Sequence, residues 1–227
     1  MNIPVSYISP DAAREAVSNV LAFSDEIDEL YNRHEISVTD DVGRKNILLS
    51  AAQEKFFAKA LQERAIECKV DGKTGEPDIL VKLKDHWREL ECKVTCISKK
   101  GSWQLQTDER TLEQKGGCDF LYLLFNRDHD EVAVLFFKDL NSGDFHKASS
   151  TSRGKARMKK HSAFKKCVPL IGGFTDKRKT FIESYKEKYN AATTNKMKSR
   201  YLEKIKMWES KESQFSIQLE SVNGIKQ

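Results

Sequence analysis

The chain has 227 residues, 39% of them hydrophobic and 32% charged, with a formal net charge of +5 at neutral pH. That is the composition of a globular, strongly solvated protein, long enough for one large domain or a domain with an appendage. No stretch of 18 apolar residues occurs, so no membrane span is expected.

The charge is unevenly spread. Residues 1–30 carry six acids and a single base, Arg14, whereas residues 145–175 carry eight Lys or Arg and no acid. A local basic block points to a polyanionic partner, most commonly nucleic acid. The five cysteines (Cys68, Cys92, Cys96, Cys118 and Cys167) form no CxxC pair and are odd in number. They read as reduced, buried thiols of a cytoplasmic protein. The start MNIPVSYISPDAAREA lacks a charged segment followed by an apolar run, so no signal peptide is expected.

Ser9-Pro10-Asp11 reads as a helix start, with Ser9 as the cap, and the helix is expected to reach about Tyr31. After a loop over His34–Gly43, a second helix is predicted over about Lys45–Ala65, with Leu49, Phe56, Phe57, Ala60 and Leu61 as its apolar stripe. Three short strands follow, Ile66–Val70, Asp78–Leu83 and Arg88–Ile97. DGKTGEP turns the chain into the second, and KDH makes the hairpin turn into the third. Thr107–Lys115 reads as a short helix stopped by Gly116-Gly117. DFLYLLFN and EVAVLFF are continuous apolar runs, expected of strands buried on both faces. Leu140–Lys166 reads as a long basic loop, CVPLI as a short strand, residues 176–213 as two helices broken at NAATTN, and FSIQLES as a terminal strand. The order is that of an α/β fold with a mixed sheet. The expected division is 1–44 as an N-terminal helix and loop, 45–175 as the core, and 176–227 as a helical extension.

The third strand carries the chemistry. Leu90, Cys92 and Val94 share one face; Glu91, Lys93 and Thr95 share the other. Asp78 opens the preceding strand, so the hairpin brings it beside Glu91. Two neighbouring carboxylates suit a hard divalent cation such as Mg2+. A lysine on the same face adds positive charge where a phosphodiester under attack builds negative charge. The bland alternatives are a turn aspartate after Pro77 and a cross-strand ion pair on a wet face.

Pro77-Asp78, twelve intervening residues, then Glu91-Cys92-Lys93 resembles the motif of the PD-(D/E)xK nucleases. A helix before and a helix then a strand after match the core of the restriction-endonuclease-like fold, and the resemblance covers about residues 45–137. It implies Asp78, Glu91 and Lys93 as catalytic residues, with Mg2+ held by Asp78, Glu91 and the backbone carbonyl of Cys92. It also implies a carboxylate from the preceding helix. Glu54, one turn from Phe57 and two from Leu61, is the candidate, lying at the edge of the buried stripe with no cationic helical neighbour.

Past the motif strand, Lys99, Lys100, Gln104 and Gln106 fall in a region that the resemblance places near the phosphates. In the basic block, Arg153, Lys155, Arg157, Lys159 and Lys160 are candidates for contact with phosphates or guanine edges. Within the superfamily the expected activity is that of a type II restriction endonuclease: a Mg2+-dependent, sequence-specific enzyme cutting double-stranded DNA as a homodimer. The chain lacks a GxxxxGK[ST] nucleotide-binding loop. The alternatives are a structure- or lesion-directed nuclease of the same superfamily and a non-catalytic DNA-binding module.

Overall fold

Ser9 caps the first helix through its hydroxyl, which accepts the Ala12 N–H, and Pro10 sits in the first turn, so α1 spans Pro10–Arg33. The structure, a computed structural model, describes residues 5–37, 42–70, 77–211 and 214–226. The expected turn DGKTGEP therefore falls, except for Pro77, outside the described residues, as does part of the expected loop after α1. Helix α2 is Val42–Gln62. Strands β1 (Cys68–Lys69), β2 (Ile79–Leu83), β3 (His86–Cys96) and β4 (Gln106–Asp108) lead into α3 (Glu109–Lys115). Then come β5 (Cys118–Phe125), β6 (Glu131–Leu140), β7 (Phe145–His146), β8 (Lys155–Met158), α4 (Lys160–Ala163), β9 (Cys167–Ile171) and β10 (Gly173–Asp176). The chain closes with α5 (Lys177–Ala191), α6 (Asn195–Glu209), β11 (Phe215–Gln218) and β12 (Glu220–Ser221).

The fold is mixed α/β. Seven strands form the main sheet in the order β1-β2-β3-β5-β6-β12, with β9 also paired to β6. The β2–β3 hairpin is antiparallel and turns at Lys84-Asp85, and β3 runs parallel to β5. That parallel step requires a crossover, and the chain between β3 and β5, which includes α3, supplies it.

The apolar runs of β5 and β6 are buried on both faces, as their sequence predicts. Leu121, Leu123 and Phe125, together with Leu90 and Cys92, face the layer of α1 and α2, whose Phe57 belongs to the same core cluster. Phe120, Tyr122 and Leu124 face the opposite way, onto Leu105, Ala156, Met158 and Phe164. Each large side chain buried here contributes about 1.5–3 kcal/mol. Gln53, fully buried, donates from Nε2 to the Leu121 carbonyl at 3.0 Å and fixes α2 over the sheet. All five cysteines are free and buried, and among the described residues no helix is long and apolar enough to cross a membrane.

Two expectations are corrected. Leu140–Lys166 is not a long loop. It folds into β7, β8, α4 and short 3-10 turns, and β8 joins β4 and β7 in a separate three-stranded sheet. Lys155–Met158 alternates, burying Ala156 and Met158 while its two cations stay outside, and four residues of such alternation are too few to stand out against the surrounding charge. The strand β4 likewise precedes the helix expected to begin at Thr107. At the other end, Gly172 takes a φ of +68° with its Cα facing the Gln218 carbonyl so closely that a Cβ would lie 2.3 Å from the oxygen. Only glycine fits this bend, which sends β10 out to pair with β11.

Candidate active site

The β2–β3 register pairs Ile79 with Leu90, which sets Asp78 at the strand entrance opposite Glu91. Asp78 Oδ2 accepts the Cys92 N–H at 2.7 Å, so the carboxylate is tied to the backbone of the strand that carries its partner. Lys93 Nζ lies 3.3 Å from Asp78 Oδ2 and 2.9 Å from Glu91 Oε2. The ammonium thus sits between the two carboxylates, where a cation has the most to gain. Cys92 turns its thiol into the core, leaving its backbone to line the cleft.

A residue that the motif did not reveal completes the cluster. Lys115, in the last turn of α3, bonds Glu91 Oε1 and lies 3.1 Å from Glu89 Oε2, close enough to pair but not aligned for a hydrogen bond. Glu91 is nearly inaccessible and has a lysine on each oxygen. A charge count held the available signal: Glu89 and Glu91 share a strand face with one cation of their own, Lys93, and a second must come from elsewhere.

The electrostatics separate the three carboxylates. Burial pushes Glu91 up, but Lys93 and Lys115 outweigh it and hold the group below its ordinary value. Burial raises Asp78, which Lys93 only partly offsets. Glu54, on α2, is raised to about 7 by burial and then by the Asp78 charge, with Lys93 opposing. Glu54 has no hydrogen bond or ion pair among the described residues. Lys93 is shifted upward: burial opposes its charge, and Glu91 and Asp78 prevail. A lysine so placed stays protonated.

Asp78, Cys92 and Lys93 floor an open cleft of about 520 Å3, which Glu91 and Lys115 do not line. Glu54 and Ser50 of α2 form one wall; Gln104, Gln106, Asp108 and Lys155 form another. Tyr122, fully buried, donates its hydroxyl to the Gln106 carbonyl at 3.2 Å and holds that wall to the sheet. Of the other sequence-predicted residues, Lys155 reaches the cleft but pairs with Asp108 at 2.8 Å. Arg157, Lys159 and Lys160 line a neighbouring cavity with Trp103, His146 and His161, which shares Gln104 with the first. Lys99 and Lys100 lie in the exposed turn after β3, and Arg153, with φ +51°, lies in the turn before β8; neither cavity is lined by them.

Among the described residues no three His, Cys, Asp or Glu side chains are drawn together as a ready metal site. The donor chemistry nevertheless fits a hard cation. Asp78, Glu91 and Glu54 offer carboxylate oxygens and Cys92 a backbone carbonyl, an ammonium stands between two of the carboxylates, and the third has its proton affinity raised by burial and by the Asp78 charge. No protein-family model matches the chain, and comparison with curated proteins finds no match.

Proposed function

We propose that this protein is a Mg2+-dependent endonuclease of the PD-(D/E)xK type that hydrolyses phosphodiester bonds in double-stranded DNA. The observation that carries the reading is the placement of Asp78 and Glu91 on either side of the Lys93 ammonium, with Asp78 and Lys93 lining an open cleft and Glu91 buried. The element order α2–β1–β2–β3–β4–α3–β5 around that cluster, with β3 parallel to β5, supports it. Asp78, Glu91 and the Cys92 carbonyl would hold Mg2+, with Glu54 at its edge. These residues would hold the cation where it would supply Lewis-acid charge to the scissile phosphate and lower the pKa of a bound water.

The chain's own groups do the rest. Lys93, freed from the carboxylates, puts a permanent positive charge beside the phosphate as negative charge builds on it. Lys115 keeps Glu91 ionised and fixed. Gln104 and Lys155 line the approach to the phosphates, and Arg157, Lys159 and Lys160 extend a basic surface beyond it.

The favoured form of the activity is that of a type II restriction enzyme: sequence-specific cutting of both strands by a two-fold homodimer, one site per strand. Five free thiols suit a reducing cytoplasm. The test is plasmid cleavage in Mg2+ with fragment mapping. Wild type is expected to give discrete fragments, and Asp78→Ala and Glu91→Ala to give none while keeping the wild-type circular dichroism spectrum. Cleavage by either variant near the wild-type rate rejects the site; a smear in place of fragments rejects sequence specificity and favours a structure-directed nuclease.

A further inference from the structure

Besides the basic block 145–175, the chain has a second concentration of positive charge, among residues that do not line the cleft. Residues 177–209 hold ten of the 39 Lys and Arg and four of the 34 Asp and Glu, a surplus of six, and the remainder of the chain has one acid in excess. This stretch is the antiparallel pair α5–α6. It buries almost nothing on the rest of the molecule: α5 has no buried residue and α6 has only Ile205. The two helices hold each other instead. Phe181 stacks on Trp208 at 4.4 Å, Tyr185 faces Tyr201, and Arg178 donates to the carbonyls of Trp208 and Glu209.

Ordinary solvated helices pair their charges at three- and four-residue spacings. Here none of the ten cations forms an ion pair among the described residues. Lys196, Arg200 and Lys204 are exposed and recur every fourth residue, so they form a row along one side of α6 with about 6 Å between neighbours. The basic segment 146–167 is more committed. Lys155 is paired with Asp108, Lys166 with Asp144, and Lys159 donates to the Gly143 carbonyl. The root of the hairpin adjoins that segment: Phe174 of β10 and Phe215 of β11 pack on Phe164, which follows Lys159, Lys160 and His161. The charge therefore continues from the second cavity onto a projecting arm.

We propose that the α5–α6 hairpin is a duplex-gripping arm that binds the phosphate backbone of DNA outside the catalytic cleft, supplying affinity without reading bases. Duplex DNA matches it because it offers a long, regular line of negative charge, about one per 1.7 Å of axis, against a regular row of unpaired cations. A second copy of the chain would set like charges against each other. The proposal rests on the nuclease reading only for the identity of the polyanion.

The test is fluorescence anisotropy with a random-sequence duplex, without divalent cation, from about 50 to 200 mM salt. The variant is Lys196→Ala/Arg200→Ala/Lys204→Ala; alanine is the best helix former, so the hairpin keeps its fold, with unchanged circular dichroism as the control. The slope of log K against log salt is expected to drop by about 2–3, since each phosphate contact contributes about 0.9. Affinity should fall tenfold or more, and single-turnover cleavage at saturating protein should be unchanged. An unchanged slope and affinity overturn the proposal. So does a change of sedimentation behaviour at unchanged slope, which would make the hairpin a self-association surface. A wild type that binds steeply but does not cleave in Mg2+ refutes the nuclease reading and leaves the arm standing; cleavage by wild type with normal binding by the triple variant does the reverse.

Discussion

Lys93 is held by two carboxylates, so its loss changes charge before it changes shape. If it stabilises the transition state, Lys93→Ala should keep DNA affinity and lose about 10^2–10^3 in single-turnover rate, the scale of one missing transition-state donor. Lys93→Arg should recover only part, because a planar guanidinium does not fit the space of a compact ammonium. A rate within about threefold of wild type would reduce Lys93 to a strand-face ion pair. Lys115 makes a different prediction. Both it and Glu91 are nearly inaccessible, and removing Lys115 leaves Glu91 Oε1 without its cation while Lys93 stays on Oε2. Lys115→Met should cost about 1–3 kcal/mol in urea unfolding, the scale of one buried acceptor left unsatisfied. Restoring neutrality with Lys115→Met/Glu91→Gln should recover much of it, and a purely additive double mutant would show that the two do not act as a pair.

At the level of elements, the second layer depends on small polar joints as well as on its apolar core. Asp144 is nearly buried; its Oδ2 accepts from Lys166 Nζ at 2.8 Å and from the Asn141 N–H at 3.3 Å. Burial favours the neutral acid, but Lys166 and the Asn141 amide prevail and keep Asp144 below the ordinary aspartate value of 3.8. A carboxylate with a depressed folded pKa contributes stability that is present above its unfolded pKa and disappears as pH falls through the folded value. The stability gap between wild type and Asp144→Asn should thus be full at neutral pH and shrink below about pH 4. A gap of constant size down to pH 2 would disconnect it from this ionisation.

Element length also decides what can be read from the residues alone. Strands β5 and β6 are eight and ten residues long and carry continuous apolar runs, so they are legible. Strands β4, β7 and β10 are two to four residues long, and a periodicity of two cannot be seen in so few positions. The cluster of Asp78, Glu91 and Lys93 was legible because one hairpin register brings the three together. Lys115 was not, since its distance from Glu91 depends on how the crossover returns over the sheet, which no local spacing encodes. The commitment of Lys155 to Asp108 was hidden for the same reason: it needs the β4–β8 pairing.

On the scale of the whole molecule, the chain divides by what each part buries. The sheet and its two layers enclose the core, while the α5–α6 pair encloses little beyond its own contacts. Replacing 177–214 by a short turn should leave a cooperative unfolding transition with a midpoint within a few degrees of wild type. A collapse of that transition would show the hairpin to be structural. The same truncation should also leave a nearly neutral protein, since the surplus of six charges leaves with it.

Asp176 and Phe215 are partners on one rung of the β10–β11 ladder. The polypeptide therefore leaves the core and re-enters it at neighbouring points, a few ångströms apart across an antiparallel pair. A segment with coincident exit and entry is an insert in a hairpin: its length is not constrained by the scaffold, and closing a longer or shorter loop at that point changes the entropy only logarithmically. The rung is thus a graft site, where an arm of different reach or charge can be spliced in without re-routing the strands that carry Asp78, Glu91 and Lys93.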